Sequence, residues 1–92
     1  MLIHDFLNAT TGVAPTTPVY YDTTPAVPVT RGPLGHDHLT LVPAPHPITI
    51  KALQHQLAHY APGFHLDWQP APEETSRPVF GYRIAAGRLL IK

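Results

Sequence analysis

The 92-residue chain contains no cysteine, few charged residues and no long apolar run. The absence of cysteine excludes a disulfide framework. A chain of this length buries only roughly 60–65% of its unfolded surface, so it gains stability from a bound metal ion or from partner subunits. Six basic and six acidic residues give a formal net charge of zero. This balance argues against a nucleic-acid-binding protein, which carries a basic stripe, and favours association, because copies repel each other little.

Membrane insertion and secretion are not expected. No apolar segment approaches the ~18–20 residues that a membrane-spanning helix needs. The residues from Met1 to Asp5 lack the positively charged and apolar regions of a secretion signal. We therefore expect a protein that is made in a cytoplasm, has no membrane partner and stays there at least until it is assembled.

Proline is abundant, and its distribution divides the chain. Eight of the twelve prolines lie between Pro15 and Pro47, whereas residues 48–61 and 79–92 contain none. Each proline removes a backbone donor and fixes φ, so the first half is expected to form edge strands, turns and extended arms. We interpret residues 1–92 as a single domain with three parts: a short N-terminal helix (1–12), proline-rich strands and arms (13–47), and a helix followed by C-terminal strands (48–92).

Hydrophobic periodicity predicts an α+β domain. Apolar residues at steps of three and four predict the main helix over about residues 48–60: Ile50, Leu53, Leu57 and Tyr60. Alternating or β-branched runs predict short strands at 19–22, 26–30, 38–42, 64–69, 79–84 and 88–91. Pro28 is expected to confine its strand to an edge, and Phe64, Trp68 and Phe80 are assigned to the core. The expected fold is a small, mostly antiparallel sheet with the main helix on one face, a short N-terminal helix and proline-rich extended arms.

Two histidines on the predicted main helix have the spacing of metal ligands. His55 and His59 are four positions apart, as in zinc peptidases, but Gln56 stands where those enzymes have the glutamate that acts as general base. The peptidase interpretation fails on this point. A plain zinc site remains open, with four candidate ligands: His36, His38, His55 and His59. The alternative is that these histidines are solvated or contact a neighbouring subunit.

No catalytic constellation is present in the sequence. Ser76 is the only serine and has no glycine elbow, and the adjacent Glu73 and Glu74 diverge in an extended loop. The six glycines are scattered singly, so a glycine-rich phosphate loop is absent. We therefore expect a protein that is not an enzyme and that needs no cofactor.

Prolines and aromatic residues indicate surfaces for protein contacts. Alternation places Tyr20 and Tyr21 on opposite faces of their strand, so one of them is expected to leave the core, and exposed tyrosine beside proline is typical of interfaces. Two contact regions are predicted: an arm from Val13 to Pro28 laid across a neighbour, and a sheet edge from Arg88 to Lys92. The predicted interface residues are Pro15, Pro18, Tyr20, Tyr21, Pro25, Pro28, Leu89 and Ile91.

The order and size of the predicted elements carry a family resemblance. These elements are a short helix at Leu2–Leu7, strands around Val19–Tyr21 and Leu39–Leu41, the helix at 48–61 and the closing strands. With them the chain resembles the small α+β subunits of bacteriophage necks and tails, such as tail-terminator proteins.

The resemblance implies a non-enzymatic virion protein that is made in a host cytoplasm and forms rings or caps. Its partners are then copies of itself and other proteins of the assembly. A capsid-decorating protein fits the same features. The alternative from a different class is a small metal-binding or regulatory module that holds zinc through its histidines.

Overall fold

Seven short strands and two short helices form the protein in the computed structural model, which describes all residues from Met1 to Lys92. The helices are α1 (Ile3–Ala9) and α2 (Ile50–Leu57). The strands are β1 (Val19–Tyr21), β2 (Val27–Leu34), β3 (His38–Pro43), β4 (His65–Trp68), β5 (Arg77–Pro78), β6 (Tyr82–Ala85) and β7 (Arg88–Ile91). All seven strands belong to one sheet in the order β5-β4-β3-β2-β1-β7-β6, which curls into a half-barrel.

The sheet is mixed. β3 pairs in parallel with β4, and β1 pairs in parallel with β7, whereas the other neighbours are antiparallel. The chain passes from β3 to β4 through α2, which is the usual kind of crossover between parallel neighbours. In the second parallel pair Tyr20 lies opposite Leu90, so segments from the two ends of the sequence meet inside the sheet.

The expected mostly antiparallel sheet with one main helix is wrong, because the sheet is mixed and only 16% of the chain is helical. The helix expected over about 48–60 is reduced to α2. Beyond it the N–H groups of His59 and Tyr60 bond to carbonyls only three residues back, and Pro62 cannot continue the helix. The parallel pairings join distant segments, which local periodicity does not reveal. The short N-terminal helix is confirmed as α1, and neither helix has the length and apolar character needed to cross a bilayer.

The prediction that Pro28 confines its strand to an edge is also wrong, because β2 lies between β1 and β3. The carbonyl of Pro28 accepts a hydrogen bond from the N–H of Ala44 (2.9 Å). Ala44 lies one residue past the end of β3. The N–H that Pro28 lacks would also have pointed toward Ala44, so the missing hydrogen bond falls at the end of the ladder between β2 and β3. An interior strand therefore tolerates proline at this position.

β1 and β2 separate after two residue pairs, and Ile48 fills the gap between them. The N–H of Val19 donates to the Ile48 carbonyl (2.9 Å), and the N–H of Ile48 donates to the Val29 carbonyl (2.9 Å). α2 begins two residues later and packs its apolar stripe into the curl of the sheet. The fully buried core residues of the two helices are Ile3, Phe6, Ile50, Leu53 and Leu57.

The residues between β5 and β6 bring the two ends of the curled sheet together. The N–H of Val79 donates to the Leu66 carbonyl in β4 (2.9 Å), and the N–H of Phe80 donates to the Lys92 carbonyl just after β7 (2.7 Å). One short segment therefore borders β4 on one side and β7 on the other. Beyond this contact, β6 continues with β7 as its only neighbour in the sheet.

Candidate protein–protein interface

A tight turn holds β6 against β7. Ala86 and Gly87 both have positive φ angles, 53° and 73°, as a two-residue type I′ hairpin turn requires. Glycine adopts this conformation without steric cost, whereas alanine is strained in it. The turn sets the register, in which Ala85 lies opposite Arg88 and Arg83 lies opposite Leu90.

This register determines which backbone groups of β6 point outward. Gly81 and Lys92 exchange both of their N–H···O bonds (3.2 and 3.0 Å), so they form a hydrogen-bonded pair. Bonded and non-bonded pairs alternate along an antiparallel ladder, so Arg83 bonds to β7 whereas Tyr82 and Ile84 do not. The N–H and C=O groups of Tyr82 and Ile84 therefore point away from β7, and no other backbone group bonds to them.

A β-bulge before β6 places Phe80 in solvent. The N–H groups of Phe80 and Gly81 both donate to the Lys92 carbonyl (2.7 and 3.2 Å), so two residues oppose one. The extra residue interrupts the alternation, and Val79 and Tyr82, three positions apart, both contact the core. The assignment of Phe80 to the core is therefore wrong, and its side chain is 78% exposed.

Large apolar side chains are exposed along this edge. Ile84 is 53% exposed, and with Phe80 and Leu34 it makes up the exposed large apolar residues of the protein. Tyr82 is anchored instead, because its hydroxyl donates to the Ala9 carbonyl (2.7 Å) and its ring packs edge-on against Phe6. β6 thus combines a fixed inner face with an unpaired outer edge.

Arg83 lies on the opposite face of β6 from Tyr82 and is held by Asp22. Its guanidinium donates two hydrogen bonds, at 2.8 and 3.1 Å, to the two carboxylate oxygens. The hydrogen bond from Arg83 holds the pKa of Asp22 below its ordinary value, and the same bond raises the pKa of Arg83. The cation on β6 is therefore already paired within its own chain.

The other edge of the sheet is protected against strand addition. β5 contains only Arg77 and Pro78, and Pro78 has no N–H to offer. A very short strand and a proline are common devices that keep an edge from pairing with another chain. β6 has neither device, and no proline follows Pro78 in the sequence. β6 is therefore the edge at which a partner strand can add.

The edge predicted from Arg88 to Lys92 is wrong, because β7 lies between β1 and β6. Leu89 and Ile91, both predicted as interface residues, are fully buried in the core. The sequence shows a hairpin but does not show which of its strands pairs with β1. The absence of proline after Pro78 is a sequence signal for an open edge. It applies to β6 and β7 alike, so it does not show which of the two strands is the edge.

The proline arm contacts its own chain. The N–H groups of Ile50 and Lys51, at the start of α2, have no acceptor within the helix. They donate instead to the carbonyls of Thr17 and Pro15 (2.8 and 3.0 Å). The Thr49 side chain accepts the hydrogen bond of the next donor (3.2 Å). These contacts satisfy the N-terminus of α2 and leave no anion site there.

Tyr20 and Tyr21 lie on opposite faces of β1. Tyr21 stacks on Trp68 with ring centroids 4.4 Å apart and borders a cavity of about 240 Å³. The guanidinium of Arg88 lies 4.5 Å from the Tyr20 ring centroid. Of the predicted interface prolines, the exposed ones are Pro15 and Pro25, and the half-buried ones are Pro18 and Pro28. A contact between these residues and a partner stays a prediction.

The four candidate metal ligands fall on two parts of the chain. His36 and His38 lie at or just before the start of β3, whereas His55 and His59 lie on or just after α2, with ring centroids 5.4 Å apart. No group of three or more histidine, aspartate or glutamate side chains is placed to hold a metal ion. The side chain of His38 forms a hydrogen bond with Asp37 (3.2 Å), and this bond holds the pKa of Asp37 below its ordinary value. The geometry therefore gives the zinc-site alternative no support.

Comparison with known proteins gives no relative. The chain matches no protein-family model, no curated protein and no solved structure. The resemblance to phage tail-terminator subunits, expected from the order and size of the predicted elements, stays a prediction. The inference of function depends on the geometry of β6.

Proposed function

We propose that the protein is a non-enzymatic structural subunit of a multi-protein assembly, in which copies of the chain associate through the outer edge of β6. The observation that carries the proposal is that the N–H and C=O groups of Tyr82 and Ile84 point outward from an edge strand that contains no proline. Such an edge binds a strand of a neighbouring molecule by main-chain hydrogen bonds.

The side chains along the edge support the same contact. Burial of a phenylalanine or isoleucine side chain from full exposure contributes roughly 1.5–3 kcal/mol. Phe80 is 78% exposed, so most of this contribution can still be gained on association. Ile84 is 53% exposed, so about half of it can still be gained. The formal net charge of zero adds no long-range repulsion between copies.

A bacteriophage virion is the assembly that the element order suggests, with the subunit in the neck or tail or on the capsid. In that setting the chain is made in the host cytoplasm and joins other proteins of the particle. Electron microscopy of the concentrated protein tests this part of the proposal. Rings or caps built from associated subunits support it, and a chain that forms no particle larger than the monomer contradicts it.

Substitutions in β6 test the edge contact itself. Ile84→Pro removes an outward N–H without removing a donor from the ladder with β7, and Ile84→Lys places a charge on the edge. Leu34→Lys is the matched control, because Leu34 is similarly exposed (48%) but lies on β2. We expect both Ile84 variants to be monomers, whereas the wild-type chain and Leu34→Lys associate.

Light scattering after size exclusion, over a range of protein concentrations, measures the mass. The expected values are 10.1 kDa for the two Ile84 variants and a multiple of it for the other two proteins. A wild-type chain that stays at 10.1 kDa at every concentration contradicts the proposal. An Ile84→Pro variant that associates as strongly as the wild type contradicts it equally.

A further inference from the structure

We propose that β6 pairs antiparallel with β6 of a second copy, across a twofold axis that passes through Arg83. This inference rests on the proposed function and specifies the partner and the register of the contact. When one edge pairs with the same edge of another copy, each copy uses up its edge, so the contact closes at two chains.

The backbone of β6 favours one register over the others. With Arg83 opposite Arg83 of the second copy, Tyr82 lies opposite Ile84 of the second copy, and Ile84 lies opposite Tyr82 of that copy. Both members of each pair have outward N–H and C=O groups, so four inter-chain hydrogen bonds form. The outward groups of β6 are thus all used in this register.

Other positions of the axis leave outward groups of β6 without a partner. An axis at Tyr82 places Ile84 opposite Phe80, whose N–H is already bonded to Lys92. An axis at Ile84 places Tyr82 opposite Ala86, which belongs to the turn. An axis between two residues pairs outward groups with groups that already bond to β7.

The charges at the axis are compensated within each chain. Two like charges directly opposite each other destabilise a strand pair. Here each Arg83 guanidinium binds the Asp22 carboxylate of its own chain at 2.8 and 3.1 Å, so the axis carries two ion pairs with no net charge. The arginine therefore does not prevent β6 from meeting its copy.

The same register covers apolar surface. Ile84 faces Tyr82 of the second copy on one side of the joined sheet, and cross-strand neighbours on the same face pack together. Tyr82 is held in place by its hydrogen bond to Ala9 and its contact with Phe6. The exposed side chain of each Ile84 thus meets an ordered aromatic ring.

Introduced cysteines test the register, because the chain has none of its own. In a non-hydrogen-bonded pair the two Cα atoms are about 4.5 Å apart, within the range of a disulfide. Arg83→Cys is therefore expected to form a covalent dimer on mild oxidation. Ile84→Cys is the matched control, because the two Ile84 positions lie on a diagonal about 7–8 Å apart, too far for an unstrained disulfide.

Non-reducing electrophoresis of the two oxidised variants, beside light scattering of the wild type and of Arg83→Ser, gives the result. The expected outcome is a covalent dimer for Arg83→Cys, at least ten-fold more abundant than for Ile84→Cys, with wild type and Arg83→Ser both dimeric. If the wild type is an oligomer and Ile84→Cys cross-links as well as Arg83→Cys, the twofold register is wrong while the proposed function stands. A monomeric wild type overturns both.

Discussion

At the scale of single residues, Ala86 is a strained position in the hairpin that carries the edge. Its φ of 53° is a conformation that asparagine and glycine adopt more readily than alanine. We expect Ala86→Asn to raise the free energy of unfolding by roughly 0.5–1 kcal/mol, measured by urea denaturation at fixed protein concentration. Gly87→Ala, at φ 73°, is the opposite control and should lower it. Equal stability of the two variants contradicts the turn geometry.

Phe80 and Trp68 show how far the residue pattern predicts the core. Alternation correctly places Leu66 and Trp68 inside the curl of the sheet. The same rule fails at Phe80, because the bulge opposite Lys92 inserts one residue into the alternation. Nothing in the local sequence marks that bulge except Gly81. The candidate edge was therefore missed at the residue where it begins.

At the scale of elements, α2 depends on contacts with other parts of the chain. A helix of eight residues is marginal alone, and its first N–H groups are satisfied by the carbonyls of Pro15 and Thr17 and by the Thr49 side chain. The proline arm, predicted to lie across a neighbour, serves in this structure as a cap for α2. The arm residues are thus part of the fold as well as candidates for an interface.

Removal of the Thr49 cap tests this dependence. Thr49→Ala is expected to lower the free energy of unfolding by about 1 kcal/mol, because the N–H of Ala52 loses its acceptor. Thr16→Ala is the control, since Thr16 is exposed in the same arm. Urea denaturation in the Ile84→Pro background separates this effect from association. A loss as large for Thr16→Ala as for Thr49→Ala shows that the cap is not the cause.

Element boundaries were predictable to a useful degree, whereas the pairing of elements was not. Periodicity located both helices and most strands within a few residues of their observed limits. The neighbours of β2 and β7 depend on contacts between distant segments, such as Tyr20 opposite Leu90. Pro28 in particular suggested an edge, because the sequence does not show that its missing donor faces the end of β3.

At the scale of the whole molecule, the chain carries only six acidic residues, so the effect of a single carboxylate on stability can be measured as a function of pH. The pKa of Asp22 lies below its ordinary value because Arg83 donates to it. A carboxylate with a lowered folded-state pKa stabilises the fold above its unfolded-state pKa, and this contribution is lost as the pH falls through the folded-state pKa. Stability is therefore expected to fall at acid pH below about 4.

Asp22→Asn removes the contribution of this carboxylate. The variant should be less stable than its parent at pH 7 and should lose less stability on acidification. Urea midpoints between pH 2 and 7, in the Ile84→Pro background, measure both differences. Asp37 also has a lowered pKa, chiefly through its hydrogen bond with His38, so a residual acid dependence is expected to remain. An unchanged acid dependence in Asp22→Asn contradicts the assignment.

The pairing of β1 with β7 has a consequence for how the chain is synthesised. β1 is complete at Tyr21, but its partner spans Arg88–Ile91, and ribosomes add about 5–20 residues per second. The first half of the nascent chain therefore waits for several seconds with unpaired strand edges. Eight prolines lie in that waiting segment, and proline interrupts the flat, fully bonded strands from which aggregates grow. The same residues that shape the arms thus protect the unfinished chain.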